Sequence, residues 1–183
     1  MANDCFNGVS LTGPQPIIDI LLYKIKTISD KANLINERFL FPYVDQKEHD
    51  DMLYANDFCD NGDNSFNFVT PWRSDPVSIF IMCYAMGLQF EMYSCESSSQ
   101  LEEEYRLTQS GVPEFRELSP EEYEACTYPE GYIEDPDDDD ANSNAEDDSA
   151  DRRDNLLSAK EWKPYDMDLS LLKRKVYEPS TQH

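Results

Sequence analysis

This chain of 183 residues is poor in the residues that catalysis, metal binding and membrane insertion usually need. It has two histidines, His49 and the terminal His183, which leave little scope for histidine catalysis or zinc binding. Its six glycines are scattered, so there is no glycine-rich phosphate-binding loop. The longest apolar run, residues 79–86, is far too short to span a bilayer. We therefore expect no cofactor, no binding to membranes and no recognisable catalytic motif.

Cysteines are few, and their spacing suggests no pairing. The five are odd in number and none forms a CxxC pair: they are Cys5, Cys59, Cys83, Cys95 and Cys126. No apolar run follows a basic N-terminal region, so we expect no signal peptide. Both observations predict reduced thiols, no native disulfide and a cytoplasmic location.

Basic residues are also scarce. Lys and Arg number 15 against 38 Asp and Glu, which gives a net charge of −23 and a pI near 4.1. Such a charge argues against direct binding to nucleic acid or anionic membranes, and it favours a basic protein surface or cations. Residues 1–125 carry −14, residues 126–154 carry −10 and residues 155–183 carry +1. The acidity is therefore not confined to one tail.

The strongest structural pattern lies in residues 65–93, SFNFVTPWRSDPVSIFIMCYAMGLQFEMY. Phe66, Phe68 and Trp72 recur at even spacing, which predicts a strand with one buried face. A second strand is predicted where apolar residues alternate with polar ones again, at Leu88, Phe90 and Met92.

A capped helix is predicted between these two strands. Asp75 can accept hydrogen bonds from the free N–H groups of the first turn, and Pro76 suits the first helical position. Gly87 can adopt the left-handed conformation that ends a helix. Strand, helix and strand within thirty residues predict a framework on which the rest of the chain packs.

The remaining elements extend this framework. The patterns predict strands at 5–12, 38–44 and 103–108, a helix at 16–28, and a helix that begins at Ser119 with Glu122 completing a capping box. Residues 45–64 form a polar insertion with a turn at 60–63. The order β, α, β, β, α, β over residues 4–94 predicts an α+β fold: a ferredoxin-like antiparallel sheet with two packed helices, in a domain of residues 1–125.

The composition changes after this domain. Residues 126–154 hold twelve Asp or Glu and few large apolar side chains, which predicts a mobile, largely disordered acidic linker. Apolar residues return in 155–183, beside the basic run 173–175. We expect this end to be a short helical segment that docks on a partner.

Two motifs resemble those of a known family. The opening MANDCFNGVSLTG resembles the start of the YubB-like, ferredoxin-like proteins of plasmids and bacteriophages, through Asn3, Cys5, Asn7, Thr12 and Gly13. The run FVTPWRSDP resembles that family's turn into its second helix, through Thr70, Pro71, Trp72 and Pro76. The family's tryptophan-rich stretch before the third strand is replaced here by FCDNGDNSFNF. The resemblance implies a mobile-element origin and the sandwich fold, and it implies no catalytic residues.

Two chemical sites can be drawn from the residues. Asp135, Asp137, Asp139 and Glu146 have the spacing of an EF-hand loop, but Asp140 stands where that loop needs glycine. A pair of Cys59 with His49 has no orienting group or oxyanion hole in the sequence. Neither pattern predicts a dedicated metal site or an enzyme.

The acidity suggests a function when it is joined to the mobile-element origin that the resemblance implies, because plasmids and phages meet the nucleases of host defence. Nucleases of host defence grip nucleic acid in basic channels, and an acidic protein can occupy such a channel in its place. We therefore expect a non-enzymatic inhibitor of the anti-restriction or anti-CRISPR type, which acts in the bacterial cytoplasm on a host protein with a basic nucleic-acid-binding surface. The candidate partner-binding residues are Asp45, Glu48, Asp50, Asp51, Asp57, Asp60, Asp63, Glu102, Glu103 and Glu104.

Two alternatives remain open. In the first, the chain is a general interaction module that uses its C-terminal segment, and the charge only keeps it solvated. In the second, it is an enzyme with an unrecognised carboxylate or cysteine site. A deep pocket with convergent polar groups would favour the enzyme, whereas a broad acidic face would favour the inhibitor.

Overall fold

The computed structural model describes residues 4–35, 37, 39–43, 55–96, 100–127 and 139–167, with the backbone alone for 139–148. These residues form seven strands and four helices. The strands are β1 (Asp4–Thr12), β2 (Asn56–Gly62), β3 (Ser65–Pro71), β4 (Gln89–Glu96), β5 (Leu101–Leu107), β6 (Pro113–Glu117) and β7 (Lys163–Pro164). The helices are α1 (Gln15–Leu34), α2 (Pro76–Met86), α3 (Pro120–Thr127) and α4 (Asp139–Ser158).

All the strands belong to one antiparallel sheet in the order β2-β3-β1-β4-β5-β6-β7. Strand β1 lies between β3 and β4, with Val9 opposite Phe66 on one side and opposite Met92 on the other. The prediction of an α+β protein with an antiparallel sheet is confirmed. The sheet is wider than predicted, and two further helices accompany it.

Alternation along the central strands sorts their side chains between two faces. Inward residues of β1, β3 and β4 share one hydrophobic core with residues of α1 and α2; among those fully buried are Ile18, Leu21, Phe66, Phe68 and Phe80. Helix α2 is apolar all round and buried over most of its length, as expected for a helix with no face left to solvent. Burial of these large side chains is the main force that holds the sheet and the two helices together.

The predicted caps of α2 are confirmed. Asp75 accepts a hydrogen bond from the N–H of Ser78 at 3.2 Å, and Gly87 is left-handed with φ of 66°. The predicted burial of Trp72 is wrong. Its backbone has φ of 70°, which takes the chain out of strand geometry, and 56% of the residue is exposed.

The predicted strand at 38–44 is also wrong. There the described residues make only an isolated bridge between Phe39 and Ala55. The second strand is instead β2, inside the insertion predicted as polar loop, and it forms a hairpin with β3. The turn residues Asp63 and Asn64 both have positive φ, as tight hairpins with a right-handed twist require. Strand β6 had no predicted counterpart.

Helix α3 begins with the predicted capping box. The N–H of Ser119 donates to the Glu122 carboxylate at 2.9 Å, and the N–H of Glu122 donates to the Ser119 hydroxyl at 3.3 Å. Hydrogen bonds from Lys160 and from the Ser119 N–H lower the pKa of Glu122.

We expect Ser119→Ala to destabilise the protein by about 1 kcal/mol, because one N–H of the first turn loses its acceptor. Urea unfolding followed by circular dichroism would measure the change. Ser119→Asp is the matched control, because its carboxylate can accept the same bond. Equal losses in both variants would contradict a capping role.

The prediction of a largely disordered linker at 126–154 differs from the structure at residues 139–154, which are helical and belong to α4. This helix packs on α3 and on β5, and Leu157 near its end is fully buried. Because α3 itself runs across residue 125, the predicted domain boundary falls within a helix. Residues 159–167, which we call the strap, then continue across the β6 edge of the sheet. The rest of the predicted docking segment, 168–183, lies outside the described residues.

Candidate partner-binding surface

The predicted acidic residues fall into three groups. Asp45, Glu48, Asp50 and Asp51 lie outside the described residues. Asp57, Asp60 and Asp63 are exposed on β2 and its turn, at the edge of the sheet. Asp57 has a positive φ of 52° beside a register shift, so β2 bulges there. No cation among the described residues pairs with these three aspartates, so their charges face solvent.

The three glutamates of β5 do not form one surface. Glu104 is paired with Arg116 of β6, and Glu102 is 2% exposed and paired with Arg153 of α4. The prediction that Glu102 contacts a partner is wrong, because its carboxylate is buried and already bonded within the chain. Of the three, Glu103 alone forms no ion pair with a described cation.

The Glu102–Arg153 pair fastens α4 to the sheet. Arg153 Nε donates to Glu102 Oε2 at 2.7 Å, and the Tyr93 hydroxyl donates to Oε1 at 3.1 Å. Burial raises the pKa of Glu102, while the Arg153 charge and these hydrogen bonds oppose the rise. Burial also raises the pKa of Tyr93, so this phenol stays a hydrogen-bond donor. A buried pair of this kind is costly to break, because either partner alone would be an uncompensated charge.

Both arginines of the acidic segment bond to α3. Arg152 Nε donates to the carbonyl of Cys126 at 3.0 Å, near the last turn of α3. Arg153 also donates to Thr127 and lies 4.9 Å from the centre of the Tyr123 ring. Helix α4 is thereby held at its C-terminal half, while Asp151 and Asp154 remain exposed.

The strap contacts both faces of the sheet at its edge. The guanidinium groups of Arg106 and Arg116 lie over the Trp162 ring, at 4.1 and 4.5 Å from its centre. Three residues later, Tyr165 packs against the rings of Phe80, Tyr105 and Phe115 at 5.4 to 5.7 Å. Residues 159–167 are therefore bound to their own sheet.

The described part of the chain offers little for nucleophilic catalysis. Burial raises the pKa of Cys5 to about 12, and it also raises the pKa of Cys83 and of Cys95, so these three stay thiols at neutral pH. Cys59 is exposed, but its proposed partner His49 lies outside the described residues. The hydroxyls of Ser74 and Tyr105 both donate to Glu103 Oε2, at 2.6 and 2.7 Å, and burial raises the pKa of Tyr105.

Neither a cluster of metal-ligating side chains nor a membrane-spanning helix is present among the described residues. No three of their His, Cys, Asp and Glu side chains lie close enough to hold a metal ion. The EF-hand spacing fails because residues 139–146 are helical and cannot form the second half of a calcium loop. No helix in the described ranges is long and apolar enough to cross a membrane.

The sequence of α4 itself indicates a helix. Residues 137–163 contain neither glycine nor proline, and Arg152-Arg153 precede Leu156-Leu157 at the end of the acidic run. That pattern is typical of a helix with one inward face, but its partner Glu102 is 51 residues away in the chain.

Comparisons with known proteins give no further assignment. No protein-family model, curated protein or solved structure matches this chain.

Proposed function

We propose that this protein is a non-enzymatic acidic inhibitor that occupies the basic nucleic-acid-binding surface of another protein. The single observation that carries the proposal is the buried Glu102–Arg153 pair, which holds an acidic helix in a fixed position on the sheet. A charge run that is merely solvated needs no such pair. A surface that replaces nucleic acid binds more tightly when such a pair is present. The segment that carries the charges is then already ordered, so it loses less conformational entropy on binding.

The density of charge on α4 supports the same proposal. Residues 139–154 span roughly 23 Å of helix at 1.5 Å per residue. They include seven acidic positions: Asp139, Asp140, Glu146, Asp147, Asp148, Asp151 and Asp154. The acidic side chains recur about once per 3 Å of helix, close to the spacing of about 3.4 Å along one strand of duplex DNA, and Arg152 and Arg153 bring the net charge of the segment to −5. Asp57, Asp60 and Asp63 add exposed charge at the opposite end of the sheet.

The fold is compatible with the resemblance to mobile-element proteins. Elements β1, α1, β2, β3, α2 and β4 follow one another in the chain, and their four strands lie side by side in the order β2-β3-β1-β4. We assign these elements as a ferredoxin-like unit, to which β5, β6, β7, α3 and α4 are added. Given a phage or plasmid origin, the proposed partners are host defence nucleases of the bacterial cytoplasm, because these nucleases bind nucleic acid in basic channels.

The test uses the full chain, immobilised and exposed to bacterial lysate, with duplex DNA as eluant. We expect DNA to release a nucleic-acid-binding protein, whose affinity for the chain falls steeply as salt is raised. Neutralising Asp147, Asp148, Asp151 and Asp154 to Asn together should weaken that binding at least tenfold. Each charge alone should matter little, because single exposed charges contribute about 1 kcal/mol or less.

The matched control neutralises Asp19, Asp30 and Glu37, which are exposed acidic residues on and just after α1. It should bind nearly as well as the native chain. Unchanged binding of the α4 variant, together with loss of binding when 168–183 are removed, would contradict the inhibitor and favour the interaction module. If no DNA-eluted partner is captured under low salt, the proposal also fails.

A further inference from the structure

A cleft of about 510 Å³ lies between the loop before α2, strand β5 and the strap. Three carboxylate residues line it, one from each of these parts: Asp75, Glu103 and Asp166. Arg73 is the only basic residue among the described residues of its wall. Tyr105 and Tyr165 add aromatic surface. The cleft is therefore negatively charged and partly aromatic, a combination that suits a planar cation.

Two hydrogen bonds orient the Glu103 carboxylate in this cleft. Ser74 and Tyr105 both donate to its Oε2, at 2.6 and 2.7 Å, which fixes the orientation of the carboxylate. No donor among the described residues reaches the other oxygen, Oε1. A guanidinium from outside can bond there without displacing any described contact of Glu103.

Trp72 immediately precedes the loop that lines the cleft. It is 56% exposed, and no described cation lies over its ring. Its positive φ of 70° is unusual for a bulky side chain, and hydrogen bonds hold the turn: Thr70 Oγ1 to the Arg73 carbonyl at 2.7 Å and the Arg73 N–H to the Pro71 carbonyl at 2.9 Å. An exposed tryptophan on a fixed turn is the type of residue that dominates binding energy at interfaces.

The chain itself contains an example of this recognition. At Trp162, the Arg106 and Arg116 guanidiniums stack on the indole, and each also pairs with a glutamate of the neighbouring strand. Trp72 lies two residues before Ser74, whose hydroxyl bonds to Glu103, so the chain brings an exposed indole and an oriented carboxylate to adjoining parts of the surface.

We propose that Trp72 and the adjoining cleft bind arginine side chains of the basic partner. This inference rests on the proposed function for the existence of that partner, and it adds that arginine is preferred over lysine. Guanidinium is planar and can both stack on an indole and bond a carboxylate, whereas ammonium is a compact, strongly hydrated point charge.

The test measures the binding of fluorescent nona-arginine and nona-lysine peptides to the full chain by anisotropy, at low ionic strength. We expect the native chain to bind nona-arginine about five- to tenfold more tightly. Trp72→Gly should reduce affinity for nona-arginine about fivefold and leave nona-lysine within twofold. Glycine is chosen because it adopts a φ of 70° without strain, so the variant keeps the turn. Glu103→Gln should also lower the arginine preference.

Two controls match these changes elsewhere on the surface. Tyr23→Ala removes an aromatic residue that is 72% exposed on α1, and Asp30→Asn removes one exposed charge; neither should alter the preference. Equal binding of both peptides by the native chain would overturn the arginine site. The proposed function would stay in place in that case if changing Asp147, Asp148, Asp151 and Asp154 to Asn weakened the binding of both peptides. An unchanged preference in Trp72→Gly would overturn it too. Failure of both peptides to bind would contradict this inference and the proposed function together.

Discussion

Arg153→Ala should destabilise the protein by about 3 to 5 kcal/mol at neutral pH, because it leaves the buried Glu102 carboxylate without its cation. The loss should be partly recovered in acid. The folded-state pKa of Glu102 is already raised above its ordinary value of 4.5, and removal of Arg153, whose charge lowers it, raises it further. Between pH 4.5 and the raised pKa the folded variant holds a proton that the unfolded chain has released, so the stabilising contribution of protonated Glu102 is complete below pH 4.5 and is lost as pH rises through the raised pKa. Urea unfolding at pH 5 and pH 7.5 would measure both effects.

Two further variants isolate the charge at Glu102. Arg152→Ala changes the neighbouring arginine, which makes one hydrogen bond to a carbonyl, and should cost less than about 1 kcal/mol. Adding Glu102→Gln to Arg153→Ala should restore stability at pH 7.5, since the neutral amide needs no counter-charge. Hydrogen exchange of residues 149–158 should accelerate in Arg153→Ala alone. A pH-independent loss would show that Arg153 contributes by packing and not by charge.

Asn7→Leu should have an effect of similar size, about 3 to 5 kcal/mol, although leucine has the same number and branching of side-chain heavy atoms. Asn7 is fully buried on β1 and joins three strands. Its Nδ2 donates to the Cys5 carbonyl at 3.0 Å and to Thr70 Oγ1 at 2.9 Å, and its Oδ1 accepts from Ser94 Oγ at 2.8 Å. The substitution leaves several buried polar groups short of a partner, each at about 1 to 3 kcal/mol. Equilibrium urea unfolding would measure the loss.

Removing the orphaned donor provides the control. Asn7→Leu combined with Ser94→Ala should be more stable than Asn7→Leu alone, because the hydroxyl that lost its acceptor is gone. Asn67→Leu, on the neighbouring strand and half-exposed, should change stability by less than about 0.5 kcal/mol. If Asn7→Leu proved neutral, the network would not contribute to the stability of the sheet.

Local signals were sufficient wherever an element depends on near neighbours. The caps at Asp75 and Gly87 and the capping box at Ser119 each join groups at most four residues apart, and all three are present. The alternation of Phe66 and Phe68 likewise requires only that one face of a strand be buried. The pattern failed at Trp72, where a positive φ ends the alternation.

The second strand shows why local patterns can mislead. Phe39 and Phe41 are buried as their hydrophobicity predicts, yet they reach the core from a segment with only one bridge. Strand β2 is mostly polar and exposed, and it is held by its hairpin with β3. Hydrophobicity therefore identified which side chains are buried, but pairing with β3 decided which backbone joins the sheet.

The sequence by itself determined the α+β class, the first helix, the β3–α2–β4 framework and the overall acidity, because each depends on composition or on contacts within a few residues. Only the tertiary structure decided which acidic residues are exposed and which are paired within the chain. Glu102 and Glu104 look the same as Glu103 in the sequence, but Arg153 and Arg116 come to the first two from distant elements. The same long-range pair joins α4, which includes part of the predicted linker, to the sheet, because a buried carboxylate needs a cation close to it.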